Sequence, residues 1–101
     1  MHIEKTCEGD IHRYECWNSS SVIAVAIVRE DESVHILEIN VNREWRGHGI
    51  GSWLLKVIKD DFNGKRITVE VFRERESWYE KNGFRRVGEK GHLIVMEFAG
   101  F

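Results

Sequence analysis

The sequence has no proline, only two cysteines and no long apolar run. Without proline, tight turns must rely on the nine glycines and on Asn and Asp. Cys7 and Cys16 are too few for a disulfide framework and favour reduced thiols. The longest apolar run, residues 22–28, is far below the roughly 20 residues that span a bilayer, and the N-terminal residues do not resemble a signal peptide. We therefore expect a cytoplasmic protein with no membrane partner.

The charges are nearly balanced, with 15 Lys and Arg against 17 Asp and Glu and a formal net charge of -2. This balance gives no general attraction to nucleic acids or anionic membranes. The length of 101 residues suits one hydrophobic core. We predict a single domain over residues 1–101.

Two kinds of hydrophobic periodicity indicate an α+β fold. Strand patterns occupy residues 11–17, 22–28, 34–41 and 66–72, and two more strands follow Phe84 and pair through a turn at residues 88–91. The short charged turn at residues 29–33 favours an antiparallel pair of the strands beside it. A helical pattern starts after Gly49 and stops at Asn63-Gly64, and residues 73–81 predict a second, short helix before Asn82.

The segment from Arg46 to Ser52 places three glycines between a strand and the first helix. Glycines let a ligand approach the backbone, and a helix N-terminus offers unpaired N–H groups and a positive dipole end, so this loop predicts an anion site. A nucleoside-triphosphate loop would need a lysine directly after the last glycine. A dinucleotide loop that began at Gly47 would need glycine in place of Ser52. Neither pattern is present.

The loop instead resembles the R/Q-x-x-G-x-G/A pyrophosphate loop of the GNAT superfamily of acyl-CoA-dependent N-acyltransferases, with Arg46, Gly49 and Gly51 in the defining positions. Residues 78–84, W-Y-E-K-N-G-F, resemble the Y-E-K-x-G-F signature near the end of the same superfamily. One predicted strand separates the two motifs. The resemblance implies a compact GNAT-like α+β fold with a mixed, mostly antiparallel sheet and two helices.

The resemblance also implies acetyl-CoA as the acyl donor, an amine as the acceptor and no metal. The pantetheine arm would run along Ile39, Asn40 and Val41. The pyrophosphate would lie in the loop formed by Arg46, Gly47, His48, Gly49, Ile50, Gly51 and Ser52, with only the backbone N–H of His48 in use. Tyr79 matches the tyrosine that returns a proton to the departing thiolate.

The general base is open at this stage. Glu38 and Asn40 interrupt an apolar strand, which favours Glu38 as the base. His35 is the second candidate, and a chain of waters is the third. Simple alternation puts His35 and Glu38 on opposite faces of the strand, but a bulge between them would reverse that.

The sequence departs from the family in two ways. Typical members have two helices between the first and second strands, where this chain has no room for them, and it lacks the Asn that commonly follows the strand before the tyrosine helix. In the family that Asn contacts the cofactor, and the two helices help to build the acceptor pocket. Without those helices the acceptor side is open, suited to a large acceptor such as a protein amine, or is completed by a second subunit in a homodimer. The alternative function is a non-catalytic acyl-CoA-binding or protein-interaction module.

Overall fold

The computed structural model describes residues 1–99 and contains seven strands and two helices within that range. The strands are β1 (His2–Glu8), β2 (Ile11–Asn18), β3 (Ser21–Glu30), β4 (Val34–Val41), β5 (Ile67–Val71), β6 (Arg85–Lys90) and β7 (Leu93–Phe98). The helices are α1 (Ile50–Asp61) and α2 (Glu76–Lys81), and short 3-10 turns occupy Arg43–Trp45 and Arg73–Arg75.

The strands form one sheet in the order β1-β2-β3-β4-β5-β7-β6. Every neighbouring pair is antiparallel except β4 and β5, which are parallel. The predicted α+β class, with a mixed and mostly antiparallel sheet and two helices, is confirmed.

One face of the sheet carries the hydrophobic core. Alternate strand residues such as Ala26, Val34 and Val69 are buried there against Leu54 and Ile58 of α1. α1 packs across β3 and β4, whereas α2 packs against β6 and β7. Within residues 1–99 neither helix covers the other sheet face, where alternate strand residues are half-buried or exposed. No helix in this range is long and apolar enough to cross a membrane.

Three features differ from the sequence predictions. β1 was not predicted, because it is an exposed edge strand in which only Ile3 is half-buried, so it shows no apolar alternation. The final hairpin turns at Gly91 and not across residues 88–91, since β6 continues to Lys90. The second helix is shorter than predicted, because residues 73–75 form a 3-10 turn before it.

A bulge in β4 decides which side chains share a face. Val28 pairs with Ile36 and Ile27 pairs with Glu38, so Leu37 is an extra residue with no partner on β3. The extra residue reverses the alternation, which puts His35 and Glu38 on the same face. Parallel pairing of β4 with β5 extends only from Val34 to Ile36 on β4. Beyond that point the two strands separate.

Candidate functional site

A cavity of about 470 Å³ opens where β4 and β5 separate, between the end of β4, the start of α1 and the side of α2. It contains most of the residues that the two motifs predict as a site. Its lining residues are Ile39, Asn40, Val41, Trp45, Arg46, Gly47, Gly49, Ile50, Gly51, Ser52, Arg75, Trp78 and Tyr79.

The first wall of the cavity is the end of β4. Residues 39–41 still pair with β3 but have no strand partner on the β5 side within the described chain. Backbone N–H and C=O groups on that side are available to a ligand, except that the Arg46 Nε donates a hydrogen bond to the Val41 carbonyl at 3.1 Å. An extended amide-containing group can pair with such a strand edge.

The second wall is the glycine loop at the start of α1. Gly47 and Gly49 have φ angles of 84° and 78°, a left-handed conformation that other residues adopt at a cost. Gly49 is the N-cap residue of α1. Because glycine has no side chain, it cannot accept a hydrogen bond from the first backbone N–H groups of the helix. No acidic residue lies in the first turn of α1, so no side chain neutralises the positive end of the helix dipole. This wall suits an anion.

The third wall is α2, which supplies Tyr79. Tyr79 is 6% exposed, and its ring lies edge-on to Trp78 and Phe84, with ring centroids 4.8 and 5.3 Å away. Burial raises the pKa of the Tyr79 phenol to about 12, although the positive charge of Arg75 acts in the opposite direction. The hydroxyl therefore stays protonated at neutral pH and can donate a proton.

Contacts at both ends of α2 hold Tyr79 in place. At the N-terminal end, Arg86 donates two hydrogen bonds of 2.7 Å to the Glu76 carboxylate. At the C-terminal end, the Lys59 ammonium donates to the Asn82 carbonyl and lies 4.4 Å from the centroid of the Phe98 ring. Bidentate pairs of this kind fix geometry as well as adding stability.

Three of the residues that the sequence predicts for the site do not line the cavity. Both ring nitrogens of His35 are engaged, with Nδ1 2.7 Å from Thr68 Oγ1 and Nε2 3.3 Å from Asp31. Glu38 is exposed, and its carboxylate has no hydrogen bond or ion pair with any described residue. The His48 side chain is exposed as expected, with its ring 5.9 Å from the Trp45 ring.

Sequence reasoning missed Trp45, Trp78 and Arg75 as lining residues. Trp45 directly precedes Arg46 and Trp78 directly precedes Tyr79, so their positions in the sequence indicated that they lie near the site. Arg75 belongs to a stretch of alternating charges, a pattern that is typical of a solvated helix face. Its spacing of four residues before Tyr79, which is typical of side chains on one side of a helix, was a weak signal that the two lie near each other.

A second cavity, of about 370 Å³, lies near the other end of α1. Four of its polar side chains pair with one another: Tyr14 donates a 2.8 Å hydrogen bond to Asp61, and His12 Nε2 lies 2.9 Å from Glu30. Among residues 1–99 there is no cluster of three or more His, Cys, Asp or Glu side chains that could hold a metal ion.

Comparisons with known proteins agree with the geometry. The sequence pattern of the acetyltransferase (GNAT) domain matches residues 12–86. No curated protein matches the sequence. Among solved structures, the PaiA N-acetyltransferase from Thermoplasma acidophilum in complex with coenzyme A superposes with a TM-score of 0.78 at 23% identity, over 89% of this chain and 61% of its own.

Two further structures have the same fold. The ribosomal-protein-S18-alanine N-acetyltransferase from Escherichia coli gives a TM-score of 0.81 at 17% identity, over 93% of this chain and 72% of its own. ElaA from Escherichia coli gives a TM-score of 0.75 at 22% identity, over 90% of this chain and 70% of its own. At these identities the likeness establishes the fold, and this chain spans less than two thirds of the Thermoplasma protein.

Proposed function

Because the chain belongs to the GNAT acetyltransferase family, we propose that it transfers an acetyl group from acetyl-CoA directly to an amine. The observation that carries the proposal is the cavity of about 470 Å³, which brings the free edge of β4, the glycine loop and Tyr79 together. These are the three elements that a CoA thioester requires: a strand edge for its amides, N–H groups for its phosphates and a proton donor for its sulfur.

The residues around the cavity fit acetyl-CoA. Residues 39–41 would pair with the pantetheine amides, for which Arg46 would have to release the Val41 carbonyl. The N–H groups of the loop and the Arg46 guanidinium would hold the pyrophosphate. The acetyl thioester supplies the activated carbonyl group that the amine attacks.

Each proton in the transfer has a proposed carrier. A neutral amine forms the new C–N bond while the C–S bond breaks, and the electron pair of that bond goes to sulfur. Tyr79 donates its phenolic proton to the sulfur. Glu38 accepts the proton that the amine loses, and it acts through water because its carboxylate lies outside the cavity lining.

The acceptor side is the open sheet face that carries Glu38. The bulge at Leu37 directs the Glu38 carboxylate to this face, beside the point where β4 and β5 separate. The Glu38 carboxylate has no cationic partner among residues 1–99. It would attract the acceptor amine in its protonated form, and the amine would then lose that proton before it attacks. We propose a large acceptor such as a protein amine, since no helix in the described range limits access to this face.

Binding of acetyl-CoA is the first test. Ligand at about 100 times its dissociation constant adds about 2.7 kcal/mol to the free energy of unfolding, which would raise the melting temperature by about 10 °C or more. Gly47→Ala should weaken binding by about tenfold, because a φ of 84° is strained for alanine and the loop that would hold the pyrophosphate would have to change its backbone conformation.

Gly64→Ala is the matched control, because Gly64 has a φ of 88° and an equally open surrounding but lies away from the cavity. It should lose a similar amount of stability and keep its affinity. Equal affinities in the two variants, or no binding by the unmodified protein, would count against the proposal.

Turnover separates this proposal from a non-catalytic acyl-CoA-binding module. One observation favours the module: neither Glu38 nor His35 lines the cavity. Release of free CoA thiol should be measured across polyamines, amino acids, lysine peptides and peptides with free N-termini. Binding without thiol release for any acceptor would establish the module instead.

A further inference from the structure

The charges around the cavity are of one sign. Among residues 1–99, Arg46 and Arg75 are the only charged residues that line it, although the chain has 17 Asp and Glu residues. Arg46 belongs to the loop that would hold phosphates. Arg75 lies on a different wall, the one that carries Tyr79, so it provides a second positive centre in the same cavity.

The Arg75 guanidinium has no carboxylate or hydrogen-bond partner in the part of the chain that the structure describes. Its neighbours are paired: Arg73 lies 3.9 Å from Glu89, and Arg86 holds Glu76 at 2.7 Å. A cation at the wall of a cavity without an acidic partner is available to an anionic group that enters it.

The position of Arg75 relative to Tyr79 indicates where that anion forms. Arg75 is the N-cap residue of α2, with φ of -97° and ψ of -9°, and it precedes Tyr79 by four residues, a spacing that favours side chains on one side of a helix. Both line the cavity. The positive charge of Arg75 also lowers the pKa of the Tyr79 phenol against the larger effect of burial.

We propose that Arg75 is a catalytic residue that stabilises the negative charge formed at the CoA sulfur and at the Tyr79 oxygen when the acyl group leaves. This rests on the proposed function. When the C–S bond breaks, its electron pair goes to sulfur, the Tyr79 proton moves to that sulfur, and a phenolate is left beside the guanidinium. A proton from solvent then restores the phenol. Without the cation, a buried phenolate would be costly.

Arg75→Met, Arg75→Lys and Arg73→Met test the proposal. Arg75→Met should lower kcat with acetyl-CoA by about 100-fold, the effect typical of losing one donor to a developing anion. The dissociation constant of CoA, measured by calorimetry, should stay within about twofold because the ground state lacks that anion. Arg75→Lys should recover most of the loss. Arg73→Met removes a neighbouring arginine that does not line the cavity and should change neither quantity.

The opposite pattern overturns the proposal. If Arg75→Met weakens CoA binding while kcat at saturation is unchanged, Arg75 contacts a phosphate and not the departing sulfur. An unchanged kcat and an unchanged dissociation constant together would give Arg75 no role in the site.

A second measurement does not depend on turnover. The chain has only two tyrosines, and the pKa of Tyr14 is raised even further than that of Tyr79, by burial and by Asp61. The absorbance of phenolate is recorded between pH 9 and 11, and the same titration of Tyr79→Phe is subtracted. The onset of the remaining signal reports on Tyr79. Arg75→Met should delay that onset, and coincident curves would contradict the proposal. If the protein binds CoA and shows the delay but releases no thiol with any amine, the proposed transfer fails and Arg75 has no reaction to assist.

Discussion

The indole ring of Trp78 lies so close to Gly51 that a Cβ atom at Gly51 would be 3.0 Å from Trp78 Cζ2 and 3.7 Å from Val41 Cγ2. Gly51 lies inside α1 and, unlike Gly47 and Gly49, does not have a positive φ. Its backbone conformation does not require glycine. The close approach of α2 requires it, so this third glycine of the loop serves packing between the helices that form two walls of the cavity.

Gly51→Ala should lower the free energy of unfolding by about 1 kcal/mol, since the cost of overpacking, about 1–3 kcal/mol, exceeds the gain in helix propensity of about 0.5–1 kcal/mol. In a Trp78→Leu background the clash is absent, so the same change should be neutral or stabilising. Denaturant unfolding of the four proteins in a double-mutant cycle measures this. An equal loss in both backgrounds would show that Trp78 is not the cause.

Tyr79→Phe should lower kcat by about 100-fold or more while acetyl-CoA affinity is kept, because the variant loses only the proton donor. The measurement is thiol release at saturating acetyl-CoA, with binding followed by calorimetry. Unchanged turnover would remove Tyr79 from the mechanism.

Tyr14→Phe is the control for that variant. Tyr14 is the other tyrosine of the chain, is 2% exposed and donates a hydrogen bond to Asp61 outside the candidate site. The change should lower the free energy of unfolding by about 1 kcal/mol and leave kcat unaltered. If kcat falls as far in Tyr14→Phe as in Tyr79→Phe, the loss of either buried hydroxyl lowers activity by destabilising the fold, and Tyr79 has no specific role as a proton donor.

The two candidate bases should respond differently to substitution. Glu38→Gln should lower kcat by about 100-fold, since its exposed carboxylate has no partner in the described range and is available to take a proton. His35→Asn should lower stability and change kcat little, because the His35 ring is engaged with Thr68 and Asp31. Glu70→Gln is the control, as Glu70 is an exposed acid on the neighbouring strand. If Glu38→Gln and Glu70→Gln have equal kcat values, a chain of waters is the better assignment for the base.

Sequence reasoning predicted the parts of this structure that depend on local pattern. Strong alternation and helical periodicity identified the core strands and α1, and the two motifs indicated a common site. β1 was missed because an edge strand buries almost nothing and has no periodic signal. The bulge at Leu37 was only a conditional expectation, since the extra residue is defined by its pairing with β3 and not by its own residue type. Arg75 was missed because its spacing before Tyr79 indicates only a shared helix side, and its place in the cavity lining depends on how α2 packs.

The ion pair between Glu76 and Arg86 should make stability depend on pH below about 5. The two hydrogen bonds from Arg86 hold the pKa of the Glu76 carboxyl below its ordinary value. A carboxyl whose pKa is lower in the folded state stabilises the protein above its unfolded pKa of about 4.3. That contribution is lost as the pH falls through the folded pKa.

The difference in melting temperature between the unmodified protein and Glu76→Gln should therefore be constant from pH 7 to about pH 5 and shrink at lower pH. Glu74→Gln is the control, because Glu74 is exposed two residues before Glu76, in the 3-10 turn, and has no ion pair with any of residues 1–99. It should show little difference at any pH. Since Glu76 begins the helix that carries Tyr79, Glu76→Gln should also reduce kcat at pH 7 more than Glu74→Gln does. A pH-independent gap would mean that Glu76 stabilises α2 through packing and not through its charge.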